Sequence, residues 1–161
     1  MRTSIVQDSV GSYHIKHATK LEILELASNI LQEKLKHYDG FSQPSQALDF
    51  LRYRLSKHDS ERFCVLYVDS RNRLIKFDIA FKGTINGASV HPREIVKRAL
   101  ELNASGVIFA HNHPSGNTTA SDADIKITRV LKDILSVIEV RVLDHIIVGD
   151  DTLSFAATGL L

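Results

Sequence analysis

The chain has 161 residues, the length of one domain, and 43% of them are apolar, so it can bury a core and widespread disorder is excluded. Its 20 Lys and Arg residues nearly balance its 19 Asp and Glu residues, so the composition lacks the basic excess typical of nucleic-acid binding. The single cysteine, Cys64, excludes an internal disulfide and a thiolate zinc cluster, and it favours a reducing, cytoplasmic setting. No apolar run approaches the roughly 18 residues that are needed to span a bilayer.

The N-terminal part of the chain predicts a helical leader. Residues 1–18 show only weak patterning, and we expect them to form a loose arm. Thr19 and Glu22 form a capping-box pattern at the start of a helix, and Gly40 is expected to end that helix. The apolar stripe of the helix recurs at helical spacing in Leu21, Leu24, Ala27, Leu31 and Leu35.

A second helix is predicted to open at Ser42 and Pro44, because proline is favoured at the first helical position. Its apolar residues are Ala47, Leu48, Leu51 and Leu55. We expect a domain boundary between Lys36 and Pro44. The chain then divides into a helical leader over residues 1–40 and a mixed α/β domain over residues 41–161.

The remaining elements alternate between strands and helices. Residues 63–68 are apolar or nearly so throughout, which predicts a strand buried on both faces. The other predicted elements, in chain order, are a returning strand at 74–81, a helix after 91–94, a buried strand at 107–110, a polar loop at 111–120, a long helix capped by Ser121, a strand at 140–148 and a last short strand at 153–155. This order predicts an α/β fold of the α+β type, with helices on both faces of a mixed sheet.

The residues that suggest chemistry are His111, His113 and Asp124. The two histidines are two positions apart, and in an extended chain such residues point to the same side. Asp124 comes three residues after the cap Ser121, so its carboxylate lies in the first turn of a helix. Two histidines and a carboxylate suit zinc and leave a fourth position for water, whose pKa the metal lowers to about 7. The alternative is that the two histidines belong to an ordinary polar loop.

The spacing of these residues resembles a known family motif. His111, His113, Ser121 and Asp124 match the JAMM pattern H-x-H-x7-S-x2-D in full. The run from His111 to Gly116 resembles the signature of the RadC-like branch, as do the segments Gly83–Asn86, His91–Glu94 and Asp144–Val148. The resemblance extends from Gln43 to the C-terminus. It implies a JAMM/MPN architecture, similar to that of cytidine deaminases, with a mostly antiparallel sheet flanked by helices.

The resemblance also implies a role for each motif residue. His111, His113 and Asp124 would hold Zn²⁺. Glu61, which opens the first domain strand, would be the general base; the alternative is an exposed acid at the strand end. Glu94 competes for that role, although a Glu in a helix N-terminal turn is routinely a partner of the helix dipole. Ser121 would stabilise an oxyanion, or it could serve only as the helix cap. His145 would support the site from behind or be a structural histidine.

Two functions from different classes follow. The first is a zinc metallopeptidase or isopeptidase-like hydrolase that cleaves an amide bond in a peptide or protein substrate. The second is a DNA-repair or mobile-element accessory protein with a structural or silent JAMM site. The near-neutral charge gives nucleic acid little support as a partner, and we expect no helix-hairpin-helix segment in the leader.

Ala120 stands where many RadC-like proteins carry proline, which affects the loop and not the ligands. A nucleobase deaminase is excluded by the single cysteine.

Overall fold

The twelve elements of the structure, a computed structural model, follow one another through the described residues, which are 4–10, 12–37, 44–56, 58–83 and 90–161. The strands are β1 (Ser4–Gln7), β2 (Tyr13–Lys16), β3 (Arg62–Val68), β4 (Leu74–Lys82), β5 (Gly106–Asn112), β6 (Arg141–Val148) and β7 (Thr152–Ser154). The helices are α1 (Lys20–His37), α2 (Pro44–Leu55), α3 (Pro92–Glu101), α4 (Asp122–Val137) and α5 (Phe155–Thr158). No helix in these ranges is both long and apolar enough to cross a membrane.

A five-stranded sheet in the order β4-β3-β5-β6-β7 forms the centre of the domain. Three of its four strand pairs are antiparallel, and only β5 and β6 run parallel. Parallel neighbours need a crossover connection, and α4 supplies it. The expected mixed, mostly antiparallel sheet is therefore confirmed.

The two faces of the sheet carry separate apolar cores, because successive strand residues point to opposite sides. On β3, Cys64, Leu66 and Val68 pack with α2, and Leu31 of α1 joins that core from its edge. The alternate residues of β3 pack with α3 and α4 on the other face. All residues from Phe63 to Val68 are buried, so the predicted strand with two buried faces and the helices on both sides of the sheet are confirmed.

The N-terminal segment differs from the expected loose arm, because β1 and β2 form an antiparallel hairpin in which Ser4 pairs with Lys16. The side chain of Asp8 closes the turn by accepting hydrogen bonds from the backbone N–H groups of Val10 and Ser12. Such a turn is built by one side chain, so apolar patterning did not reveal it.

The predicted capping box of α1 is confirmed, since Thr19 and Glu22 exchange hydrogen bonds between side chain and backbone. Pro44 begins α2 as expected, whereas Gly40 and Ser42 lie outside the described residues.

Two strand ends also differ from expectation, and one of them matters for the site. β5 continues to Asn112 instead of ending at residue 110, so His111 belongs to the strand and not to the following loop. At the C-terminus, Phe155 begins α5 and does not end a strand, because Ser154 Oγ accepts a hydrogen bond from the Ala157 N–H and caps that short helix.

Candidate metal centre

His111 lies at the end of β5, the central strand of the sheet. It pairs with Phe63 of β3 on one side and with Ile147 of β6 on the other, so its backbone is held from both directions. Its side chain lies on the face covered by α4 and is only 1% exposed. The Phe63 ring is nearly parallel to the imidazole, with centroids 6.4 Å apart.

His113 follows the strand and is held by two carbonyl groups. Its backbone N–H donates to the Val148 carbonyl at 2.8 Å, and its side-chain Nδ1 lies 2.6 Å from the Asn117 carbonyl oxygen. A carbonyl oxygen can only accept, so Nδ1 carries a proton and donates it. In the neutral ring, Nε2 then keeps an unshared lone pair.

Asp124 reaches the site from the first turn of α4 through the predicted cap. Ser121 Oγ accepts from the Asp124 N–H at 3.2 Å, while Asp124 Oδ2 accepts from the Ser121 N–H at 2.8 Å and from its hydroxyl at 2.7 Å. This reciprocal box confirms Ser121 as the N-cap of α4. Burial alone would raise the pKa of Asp124, but the hydrogen bond and charge of His111 when that ring is protonated, together with the hydrogen bonds from Ser121, outweigh it and hold the pKa well below its usual range.

The three side chains converge on one point. The Nε2 atoms of His111 and His113 are 2.9 Å apart, and the Asp124 carboxylate lies 3.2 Å from the first and 3.8 Å from the second. A tetrahedral zinc ion with bonds of about 2.0–2.1 Å separates its ligand atoms by roughly 3.3 Å. His113 Nε2 and the Asp124 carboxylate both face His111 Nε2 as acceptors, and one cation among the three atoms would satisfy them. The donor set therefore fits zinc.

Glu61 immediately precedes β3. The Arg62 N–H donates to Asn112 Oδ1 at 2.8 Å, which joins the start of β3 to the end of β5. Continuing the register from the pair Phe63 and His111 sets Glu61 opposite His113. Its Oε2 atom is buried and has no hydrogen-bond partner among the described residues. Such an orphaned acceptor in a polar site points to a water or an ion. The competing Glu94 is exposed in the first turn of α3.

Behind His111 lies a second group of polar side chains. His145 of β6 is fully buried, and its Nε2 lies 2.8 Å from His111 Nδ1. Burial lowers the pKa of His145 well below its usual value, and a positive charge on His111, when that ring is protonated, would lower it further. Thr128 contacts the other ring nitrogen of His145. Sequence reasoning missed Thr128, although its position one helical turn after Asp124 could have suggested it.

A cleft of about 550 Å³ opens beside His113, on the α2 side of the sheet. Its lining comes from the end of α2, the segment before β3, the loop after β5 and the turn after β6. The polar side chains that line it are Arg52, Ser56, His58, Asp59, Asn112, His113 and Asp150. Of the three converging side chains, His113 is the one that lines this cleft among the described residues.

Comparison with known proteins agrees with this architecture. The family model of the RadC-like JAB domain matches residues 41–160. A UPF0758 protein of Vibrio cholerae is 49% identical over 140 residues, which cover 87% of this chain and 89% of the relative. A second one from V. cholerae is 44% identical, with 91% and 92% covered. A third, from Thioalkalivibrio sulfidiphilus, is 47% identical over 91% of this chain but only 66% of the relative. The chain therefore belongs to the RadC-like JAB domain family.

Proposed function

We propose that this protein is a zinc-dependent hydrolase that cleaves an amide bond in a peptide or protein substrate. The observation that carries the proposal is the convergence of two imidazole Nε2 atoms and one ionised carboxylate within a few ångströms of one another. Membership in the RadC-like JAB domain family agrees with either a JAMM-type hydrolase or a DNA-repair-related role. The formal net charge of +1 adds no electrostatic support to the second role.

His111, His113 and Asp124 would hold the metal through Nε2, Nε2 and the carboxylate. Zinc in such a site acts as a Lewis acid on a carbonyl group and brings the pKa of a water molecule to about 7. The two hydrogen bonds that Asp124 Oδ2 accepts from Ser121 favour the carboxylate form, and a charged ligand offsets part of the cation's charge in a buried site.

Glu61 would act as the general base. Its Oε2 atom is buried and has no hydrogen-bond partner within the part of the chain that the structure describes, so it would be available to take a proton from the nucleophilic water and later to deliver it to the leaving amine. Extending the β3–β5 register by two residues sets Glu61 opposite His113, and this position would keep the proton transfer on the side of the sheet where the ligands converge.

Ser121 would donate a hydrogen bond to the developing oxyanion. Its hydroxyl hydrogen is directed at Asp124 Oδ2, at 2.7 Å, so it must turn toward the substrate to serve this role. The Ser121 N–H also donates to Asp124 Oδ2 at 2.8 Å, and that bond would keep the carboxylate oriented while the hydroxyl turns.

Metal content tests the proposal first. Protein purified without chelator or affinity tag should contain about one zinc per chain by elemental analysis, and the double variant His111→Ala/Asp124→Ala should contain none. Asp122→Ala is the matched control, since Asp122 is an exposed acid in the same helical turn and should leave zinc unchanged. A parent protein that takes up no zinc after incubation with the ion would overturn the proposal.

Hydrolysis is tested next with a screen of peptide and isopeptide substrates. Once a cleaved substrate is found, Glu61→Gln should abolish cleavage while zinc stays bound, because the amide is similar in shape to the carboxylate but cannot take the proton. Cleavage at the parent rate by Glu61→Gln would refute the role of Glu61 as base.

A further inference from the structure

A chain of hydrogen bonds runs from His111 away from the metal centre into the core. His111 Nδ1 lies 2.8 Å from His145 Nε2, and His145 Nδ1 lies 2.5 Å from Thr128 Oγ1. The Thr128 hydroxyl in turn donates to the backbone carbonyl of Asp124 at 2.6 Å. All four residues are buried. The series of hydrogen bonds begins at one candidate ligand, His111, and ends at another, Asp124.

The direction of each hydrogen bond in this series follows from the last one, between Thr128 and the Asp124 carbonyl. The Asp124 carbonyl oxygen can only accept, so the single hydroxyl hydrogen of Thr128 is used there. Thr128 Oγ1 therefore faces His145 with a lone pair. It follows that His145 Nδ1 carries the hydrogen and donates it.

The surroundings of His145 keep its ring neutral. The ring lies among three phenylalanines, with centroid distances of 5.6 Å to Phe63, 6.0 Å to Phe109 and 4.7 Å to Phe155. No carboxylate oxygen is within hydrogen-bond distance of it in the described structure, so an imidazolium there would have no hydrogen-bonded counter-charge. A neutral ring with its hydrogen on Nδ1 has an accepting Nε2.

The last step reaches the metal centre. Because His145 Nε2 accepts, His111 Nδ1 must donate, and a neutral His111 then carries no hydrogen on Nε2. That nitrogen is the one that faces His113 and Asp124. Metal-ligating histidines usually donate their other ring N–H to a partner that sets the tautomer and the ring orientation.

We propose that Thr128 and His145 are positioning residues that hold His111 in the tautomer whose Nε2 is free to bind the metal. The inference rests on the metal-binding part of the proposed function and not on hydrolysis. Asp124 and Thr128 are one turn apart on α4, so a single helical turn supplies both a ligand and the end of the hydrogen-bond chain. A shift of α4 would therefore change both together.

Two variants of Thr128 separate this role from simple packing. Thr128→Val keeps the shape but removes the hydroxyl that accepts from His145, and Thr128→Ser keeps the hydroxyl. We expect zinc affinity, measured by competition with a chromophoric chelator, to fall by about 10–100-fold in Thr128→Val, as is usual for the loss of such a partner. Thr128→Ser should stay close to the parent. Equal affinity of Thr128→Val and parent would overturn the proposal.

The tautomers themselves can be read directly, without metal and without substrate. In the ¹⁵N-labelled full chain free of zinc, imidazole nitrogen shifts should show the hydrogen on Nδ1 in both His111 and His145. In Thr128→Val, His145 should lose this preference. A parent His145 with its hydrogen on Nε2 would refute the inference even if Thr128→Val failed to fold. Because the measurement needs no metal, it decides the inference separately from a failure of the parent to bind zinc.

Discussion

Gly149, the residue after β6, is packed against the loop that carries His113. A Cβ atom built on Gly149 would lie 2.3 Å from the Gly116 carbonyl oxygen and 2.8 Å from its carbonyl carbon. Real Cβ contacts are essentially never under 3.0 Å, so Gly149→Ala must push the loop away by at least 0.7 Å. The two nearest contacting atoms are backbone, and only the third, Thr118 Cγ2 at 2.9 Å, belongs to a side chain, so rotating a side chain cannot relieve the clash.

The displaced loop is the one that orients a candidate ligand. The Gly116 N–H donates to the His113 carbonyl at 3.0 Å, and the next residue, Asn117, supplies the carbonyl that accepts from His113 Nδ1. Functional groups must be held within about 0.5 Å of their working geometry, and the required displacement exceeds that. We therefore expect Gly149→Ala to weaken zinc binding by about 10–100-fold and to cost about 1–3 kcal/mol of stability through overpacking.

Chelator competition and thermal unfolding measure the two effects. Gly106→Ala is the matched control, because Gly106 lies at the other end of β5 and its added Cβ would meet Val68 at 3.2 Å and the Arg141 carbonyl at 3.3 Å. That milder crowding should lower Tm slightly and leave zinc affinity at the parent value. A folded Gly149→Ala protein that binds zinc as tightly as the parent would refute the argument that this loop positions His113.

Three further predictions concern individual side chains and the metal. Burial raises the pKa of the Cys64 thiol to about 12, against the opposing charges of Arg54 and Arg62. At pH 8, iodoacetamide should therefore modify Cys64 only after unfolding, as measured by mass spectrometry. Rapid labelling of the folded protein would contradict the burial of Cys64. Ser121→Ala removes the N-cap of α4 and should cost about 0.5–2 kcal/mol in urea unfolding; an unchanged midpoint would show that the cap contributes nothing. Removing zinc with a chelator should lower Tm in thermal unfolding, because an ion at 1,000 times its Kd stabilises the folded state by about 4.1 kcal/mol. Equal Tm values with and without chelator would argue against a bound ion.

Much of the candidate site could be predicted from local spacing. The interval between His111 and His113 puts two side chains on one side of an extended chain, and the interval between Ser121 and Asp124 is that of a capping box. Both relations depend only on backbone geometry over a few residues. The structure has the cap as predicted and brings the three side chains together.

Other features depended on contacts that no local pattern encodes. The pairing of β3 with β5 joins Arg62, the residue after Glu61, to Asn112 across 50 positions of sequence, and apolar patterning does not specify which strands are neighbours. The hairpin of β1 and β2 depends on hydrogen bonds from one Asp8 side chain. His111 was expected in a loop, because a polar residue after a short apolar run looks like a strand end; the pairing of β5 on both sides extends the strand through it.

Backbone geometry within a few residues accounts for the periodic elements, the burial of β3 on both faces and the spacing of the candidate ligands, so the sequence predicts all three. The partners of those ligands depend instead on tertiary packing. His145 and Thr128 come from β6 and α4, and they meet behind His111 because β6 lies parallel to β5 while α4 crosses over the same face. The tautomer of a histidine depends on which atoms face its second nitrogen, and that is a property of packing between elements distant in the chain.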